Sequence, residues 1–357
     1  MPLADFGWDL HFERAFAAFA GKSDLEPARV LIEFNHNYRV AIESGERDAV
    51  LAGRMKHQAT SRADLPAVGD WVVIRRRAED ARGAIVAVLD RRSRFSRRMA
   101  GQITDEQVVA ANVDVVFVVM ALDDDFSPRR LQRYLLMARE SGASPVTLLT
   151  KPDLTDDLPA RLGESVTVAG NVPVHVLSPK MNEGIEQVAQ YLIAGRTGAL
   201  LGSSGVGKST IINRLVGADV QKTREVRDAD SKGRHTTTHR ELVMLPAGGL
   251  IIDTPGMREL QLWDASDGIR GTFEDVEALA ADCRFTDCRH RGEPGCAVTA
   301  AVESGVVAPD RLDSYLQLQG ELALLARQQD ARAEIEEKRR GKIGAKALRQ
   351  HLKSKPE

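Results

Sequence analysis

Cysteine is scarce in this chain: there are three, an odd number, and all lie between residues 283 and 296. That excludes a disulfide scaffold and points to metal binding in a reducing compartment. Long apolar runs are also missing. The longest uncharged apolar stretch near the N-terminus is "AFAAFA", preceded by Asp5, Asp9 and Glu13, so this region reads as neither a secretory signal nor a spanning helix. The expected address is the cytoplasm, with no membrane partner. Charge of one sign is not in excess either, the net value being −2. What is present is length and apolar content: 357 residues, 43% of them hydrophobic, suffice for a substantial core and two or three domains.

The basic residues are unevenly placed. Residues 71–100 hold nine arginines against three acids, and the tail "KRRGKIGAKALRQHLKSKPE" holds eight Lys or Arg against one acid. Both windows suit phosphate, although a basic run is as often a solvated surface. From Arg29 to Phe95 come the short runs "RVLIEF", "YRVAIE", "DAVLAG", "DWVVIR" and "GAIVAVL", separated by polar or Gly-containing turns, with no convincing helix. Five closely spaced strands suit a small barrel of the OB type, which often binds nucleic acid along one face. RNA binding follows here from barrel plus charge, not from fold alone.

After residue 110 buried apolar strands alternate with helical stretches, the pattern of a parallel sheet covered on both faces. Strands are expected at "VDVVFVVMAL", "SPVTLLT", "VPVHVLS", "GALLG", "RELVMLP" and "GLIIDT". In "SPRRLQRYLLMARESG", Ser127 and Pro128 start a helix and Gly142 stops it.

The sharpest motif is "GSSGVGKS", Gly202 to Ser209, between an apolar strand and the helical "TIINRLV". It fits the phosphate-binding pattern G-x-x-x-x-G-K-[ST]. Glycines let successive N–H groups of Gly202, Ser203, Ser204, Gly205, Val206, Gly207 and the following Thr210 region turn toward phosphates. Lys208 reaches the β and γ phosphates, and the Ser209 hydroxyl ligates magnesium. "DTPG", Asp253 to Gly256, ends a later apolar strand where a magnesium-proximal aspartate and a γ-phosphate-sensing glycine sit in GTPases. "GRHTTT", residues 233–238, lies in the interval of a switch region.

Upstream, "TKPD" ends the strand "SPVTLLT". Its Asp153 is placed to accept from both the ring N–H and the exocyclic amine of guanine, a pair adenine does not offer. Thr150 and Lys151 complete that turn, and Ser178 in "VLSPK" matches a position that backs the base. The base-reading strands therefore precede the phosphate loop, the reverse of the usual order. A circular permutation accounts for this, since the same sheet forms when the surface loops are cut elsewhere.

All three cysteines are used in "CRFTDCRHRGEPGC": Cys283, Cys288 and Cys296, with His290. Three thiolates and an imidazole make a closed tetrahedral zinc set, structural rather than catalytic.

The barrel, "TKPD" before "GSSGVGKST", "GRHTTT", "DTPGMRE" and the Cys/His cluster together resemble the circularly permuted, small-subunit-dependent ribosomal GTPases (RsgA, also called YjeQ), over roughly residues 28–330. The resemblance implies a multidomain chain: an extension (1–27), an OB-type β-barrel (28–97), a circularly permuted α/β P-loop GTPase domain (98–264), a mainly helical zinc-binding domain (265–330) and a basic tail (331–357). It implies GTP hydrolysis to GDP and phosphate, stimulated by the small ribosomal subunit during its late maturation. The expected cofactors are GTP/GDP, magnesium and one structural zinc. The expected partners are the subunit, its rRNA and other assembly factors, with the protein itself a monomer.

Two positions depart from the family pattern. Thr150 stands where Asn is usual, removing an amide that braces the loop, and Met257 follows "DTPG" where a water-orienting glutamine stands in many GTPases. By resemblance the water falls to His235, with Thr237 the switch ligand to magnesium; His239 and Arg258 are rivals for the first role. Gly205 gives no support for potassium dependence. Two other readings remain: a nucleotide-gated rRNA-binding adaptor with negligible turnover, and an ATP-dependent kinase or RNA-remodelling ATPase, against which Asp153 argues.

Overall fold

The computed structural model describes residues 2–76, 82–98, 106–217, 240–253, 273–309, 311–317, 319, 320 and 323, and among the described residues thirteen strands carry the architecture. The described residues up to 253 belong to one compact unit and those from 273 onward, 273–323, to a second.

In the first unit, five strands close a barrel: β1 (Leu25–Phe34), β2 (Asn37–Ile42), β3 (Gly45–Leu51), β4 (Trp71–Arg75) and β5 (Gly83–Val88). β1 pairs with β2 and β4, β2 with β3, β3 with β5 and β5 with β4, so no edge is left open. Alternation along the strands sends Ala28, Val30, Tyr38, Val40, Val72, Ile74 and Ile85 into one core. All five expected strands are there. The expectation of no helix fails, because Gly53–Gln58 is helical. Its sequence, GRMKHQ, has no repeating apolar face; only Met55 packs against the barrel core, which is why periodicity does not reveal it.

The N-terminal residues cover one side of this barrel. Asp9 caps the helix Leu10–Phe16 by accepting from the His11 amide at 3.0 Å, and its carboxylate also pairs with Arg92. Trp8 meets Trp71 edge-on with ring centroids 4.7 Å apart, and Phe12 is buried beside it. β6 (Arg94–Arg98) and β7 (Glu106–Ala111) form a separate antiparallel pair.

The rest of this unit is built on β8 (Val115–Ala121), β9 (Ser144–Thr150), β10 (Val174–Leu177), β11 (Thr197–Leu201), β12 (Arg240–Met244) and β13 (Leu250–Asp253). In space they run β10-β9-β8-β11-β13-β12, all parallel except β12. β11, which leads into the phosphate loop, thus lies centrally, between the first strand of this region and the last. β8 is buried along its whole length, as a parallel strand covered on both faces must be. The helix Pro128–Glu140 covers it, starting at Pro128 with Ser127 as N-cap.

β12 also pairs with β1, in register Ile32 to Glu241, so the barrel and the mainly parallel sheet form one 11-stranded sheet. Arg29 strengthens the junction. Fully buried, it donates to the Phe6 carbonyl at 3.2 Å, the Asn112 carbonyl at 3.1 Å and Thr197 Oγ1 at 3.3 Å. Burial pushes its pKa down to about 10, which leaves it charged at neutral pH. Because Thr197 opens β11, a barrel residue holds the root of the strand that ends in the phosphate loop.

In the second unit the helices Glu274–Ala280 and Ala297–Glu303 flank the Cys/His segment. No helix among the described residues is long and apolar enough to cross a membrane.

Candidate nucleotide site

Parallel strands present their loops at their carboxyl ends, and ligands of such sheets bind there. Here Ala121 of β8 and Leu177 of β10 both lie opposite Thr150 of β9, while Leu201 of β11 lies opposite Val118. The segments "TKPD", "SPK" and "GSSGVGKST" therefore leave the same edge of the sheet, although the first and last stand far apart in the chain.

The phosphate loop starts at Gly202, where a Cβ would sit 2.3 Å from the Val119 carbonyl oxygen. Only glycine allows the loop to leave the sheet so close to its neighbour. Gly207 has φ +100°, in the left-handed region, immediately before the helix 208–217. That helix is anchored by Ile211, Ile212 and Val216 in the core beneath the sheet. Its first residue, Lys208, turns back so that Nζ donates to the Gly202 carbonyl at 2.7 Å and the Ser203 carbonyl at 2.5 Å. Ser204, Gly205, Ser209 and Thr210 are exposed and Val206 is buried. The loop thus has an accessible rim of N–H and O–H donors at a helix N-terminus, suited to a polyphosphate.

The base side is tied to this loop by two links. Thr150, buried at the end of β9, donates from Oγ1 to the Val206 carbonyl at 2.6 Å. The amide of an asparagine is absent at this position, as the sequence shows, but the Thr150 hydroxyl reaches the loop directly. Arg214, on the phosphate-loop helix, donates to the Pro179 carbonyl at 3.0 Å and the Lys180 carbonyl at 3.2 Å, which fixes the turn after Ser178. Ser178 is buried, and its main chain exchanges two hydrogen bonds of 3.0 Å with Glu183.

Lys151 adopts φ +57°, an unusual conformation for a residue with a side chain. Its ammonium meets Asp123 Oδ2 at 2.8 Å, and that hydrogen bond holds the Asp123 carboxyl below its ordinary pKa. After the turn, Asp153 lies in the short 3-10 helix Pro152–Leu154. Its side chain is exposed, an acceptor open to a ligand. Asp253 ends β13 on the other flank of β11. Gly256, His235, Thr237 and the rivals His239 and Arg258 lie outside the described residues, as does Met257.

Residues that the motifs did not reveal complete the site. Arg130 forms two charged hydrogen bonds with the Asp125 carboxylate, 2.7 and 2.9 Å, and another of 3.1 Å to Ser203 Oγ. Tyr134 Oη lies 3.2 Å from the same Ser203 oxygen. The signal available in sequence was the acidic triplet Asp123–Asp125 directly after β8, at the edge where ligand-binding loops emerge.

In the second unit, Cys283, Cys288, His290 and Cys296 bring their donor atoms within 4.8 Å of one another. Cys283 and Cys296 Sγ are 3.9 Å apart, and His290 Nδ1 lies 3.6 and 3.4 Å from them. A tetrahedron with zinc–sulfur arms of about 2.3 Å has edges of about 3.8 Å, so the donor set fits a four-coordinate zinc. The left-handed turn at His290, φ +57°, lets the chain double back between Cys288 and Cys296. Glu293 accepts from the Arg289 and Arg291 amides at 3.1 and 2.7 Å and stabilises that turn.

Comparison with known proteins agrees with this geometry. Residues 88–263 match the family model of the RsgA GTPase. A protein of Opitutus terrae named small ribosomal subunit biogenesis GTPase RsgA is 50% identical over 346 residues, covering 94% of each chain. One from Oceanobacillus iheyensis, RsgA 1 of the same description, is 45% identical and covers 91% of this chain and 92% of its own. Among solved structures, YjeQ from Thermotoga maritima superimposes with a TM-score of 0.63 at 27% identity, covering 84% of this chain and 99% of that one. YloQ, described as a circularly permuted GTPase, gives 0.59 at 24% identity, a likeness of fold, over 84% of this chain and 96% of its own.

Proposed function

Since the chain belongs to the RsgA GTPase family, we propose that it hydrolyses GTP to GDP and phosphate on the small ribosomal subunit during late maturation, and that the subunit stimulates hydrolysis. The observation that carries this reading is the Thr150 to Val206 hydrogen bond, which joins a guanine-reading turn to a phosphate loop at one sheet edge.

In this reading the amides of Gly202 to Thr210 and the N-terminus of the helix 208–217 receive the phosphates, and Lys208 leaves the Gly202 and Ser203 carbonyls to meet the β and γ oxygens. Ser209 and Thr237 are the protein ligands for magnesium, which supplies charge neutralisation on the phosphates when bound. Asp153 selects guanine, Ser178 and Lys151 flank the base, and Asp253 with Gly256 borders the γ-phosphate side. His235 orients the attacking water, a task the apolar Met257 side chain lacks the polar atoms to perform. Cys283, Cys288, His290 and Cys296 hold zinc, which supplies a structural cross-link. The arginine-rich barrel faces rRNA. The protein acts as a cytoplasmic monomer, in company with other assembly factors.

The test is steady-state GTP hydrolysis by the full chain, alone and with purified small subunits, large subunits or free RNA, with ATP as competitor. Stimulation by small subunits alone, lost in His235→Ala with nucleotide binding retained, is the expected result. Binding without stimulated turnover would make the protein a nucleotide-gated rRNA-binding adaptor instead.

A further inference from the structure

Glycine gives the phosphate loop its shape but leaves it few side chains with which to hold that shape. Gly202, Gly205 and Gly207 all have positive φ, and a residue without a Cβ has the most conformational freedom to lose. Something outside the loop must supply order, because a binding constellation works only when held to within about 0.5 Å.

The support comes from the helix Pro128–Glu140. Ser127 caps it by accepting from the Arg130 amide at 3.3 Å, which fixes where Arg130 starts. The Asp125 carboxylate then takes both terminal nitrogens of the guanidinium, and the Asp125 carbonyl accepts a third bond at 2.7 Å. An arginine fork held this way loses little further freedom on bonding. Its remaining reach goes to Ser203 Oγ, 3.1 Å away, and one turn later Tyr134 meets the same hydroxyl. From the other side Lys208 grips the Ser203 carbonyl. Ser203 is thus held at its side chain and at its main chain by different elements. The same acidic turn supplies Asp123 to Lys151 of the base-reading segment.

We propose that Arg130 is a positioning residue of the nucleotide site: pinned by Asp125, it clamps Ser203 and so sets the phosphate loop in its binding shape. The proposal rests on the reading of this loop as a guanine-nucleotide site. A preset loop grips phosphates alike before and during the reaction, so losing the clamp raises KM and nucleotide Kd while leaving kcat at saturating GTP nearly unchanged.

The experiment uses the full chain and Arg130→Ala, Arg130→Lys, Ser203→Ala and the double variant Arg130→Ala/Ser203→Ala. Kd for GDP and GTP is read by displacement of a fluorescent guanine nucleotide, KM and kcat on small subunits, and thermal unfolding as a folding control. Arg130→Ala is expected to weaken nucleotide binding about tenfold, the size of one charge-assisted hydrogen bond, with kcat within about twofold of the parent. Ser203→Ala should weaken nucleotide binding likewise, and the double variant should bind no worse than either single change. Arg130→Lys should rescue only in part, since an ammonium does not span Asp125 and Ser203 as a fork does. Unchanged affinity in Arg130→Ala, additive losses in the double variant, or a fall in kcat at constant KM would each overturn the proposal. Failure of the unsubstituted chain to bind guanine nucleotide would instead sink the reading of the site itself, and the proposal with it.

Discussion

Thr150 Oγ1 and the Val206 carbonyl, 56 positions apart in the chain, are joined by a hydrogen bond of 2.6 Å. The donor ends the strand that leads into "TKPD" and the acceptor is the middle of the loop "GSSGVGKS", so the two segments of the candidate nucleotide site share a fixed spacing.

Thr150→Val keeps the volume and removes the donor. The Val206 carbonyl then loses its side-chain partner in a buried setting, which costs about 1–3 kcal/mol. Urea unfolding of the nucleotide-free protein should show that loss, and guanine-nucleotide affinity should fall with it. A stability change under about 0.5 kcal/mol would mean that the hydroxyl does not brace the loop.

Asp153→Ala removes an exposed carboxylate and is expected to be silent in unfolding experiments. It should weaken GTP and GDP binding by roughly 10- to 100-fold, since two hydrogen bonds to a charged acceptor disappear. ATP, lacking those donors, should bind no better or worse than before. Retention of full GTP preference in the variant would transfer guanine selection to another residue.

Cys288→Ser should lower zinc content from about one per chain toward none, because a four-ligand structural site tolerates no missing thiolate. Elemental analysis and circular dichroism read the outcome. Nucleotide affinity of the loop at Gly202 should persist, while the fold of residues 273–309 loosens. A Cys288→Ser protein that keeps its zinc would show that this thiol is not a ligand.

Asp123 gives a pH signature. The Lys151 hydrogen bond lowers its folded pKa below the ordinary 3.8, so its contribution is present in full above that value and fades as pH falls through the lower folded one. Between about pH 5 and pH 2.5 the parent should therefore lose more stability than Asp123→Asn does. Parallel curves for the two proteins would remove the pair from any role in acid sensitivity.

Much of this was legible in sequence, for reasons particular to the segments. The barrel strands read as short β-branched or alternating runs, β4 being buried at four successive positions because Trp8 and Phe12 cover its outer face, and β8 reads as a continuous apolar run because both its faces are buried. The phosphate loop and the Cys/His set declare themselves because their chemistry fixes residue types at fixed spacings. β6 was hidden, since RFSRR reads as a charged surface until Phe95 is seen buried and paired with Ala110. Arg130 was hidden too: its bond to Ser203 spans 73 positions, and no local pattern encodes a contact that only the packing of the helix Pro128–Glu140 creates. Arg29 looks like one more surface cation in a β-strand, yet three acceptors from distant segments enclose it.

The pairing of Ile32 with Glu241 makes the barrel a lever rather than a pendant. Main-chain hydrogen bonds run from β1 through β12 to β13, whose last residue is Asp253. A torque applied to the barrel by whatever it grips is therefore passed along paired strands to β13, the neighbour of the strand that leads into the phosphate loop, and the barrel cannot swing freely without first unzipping that seam.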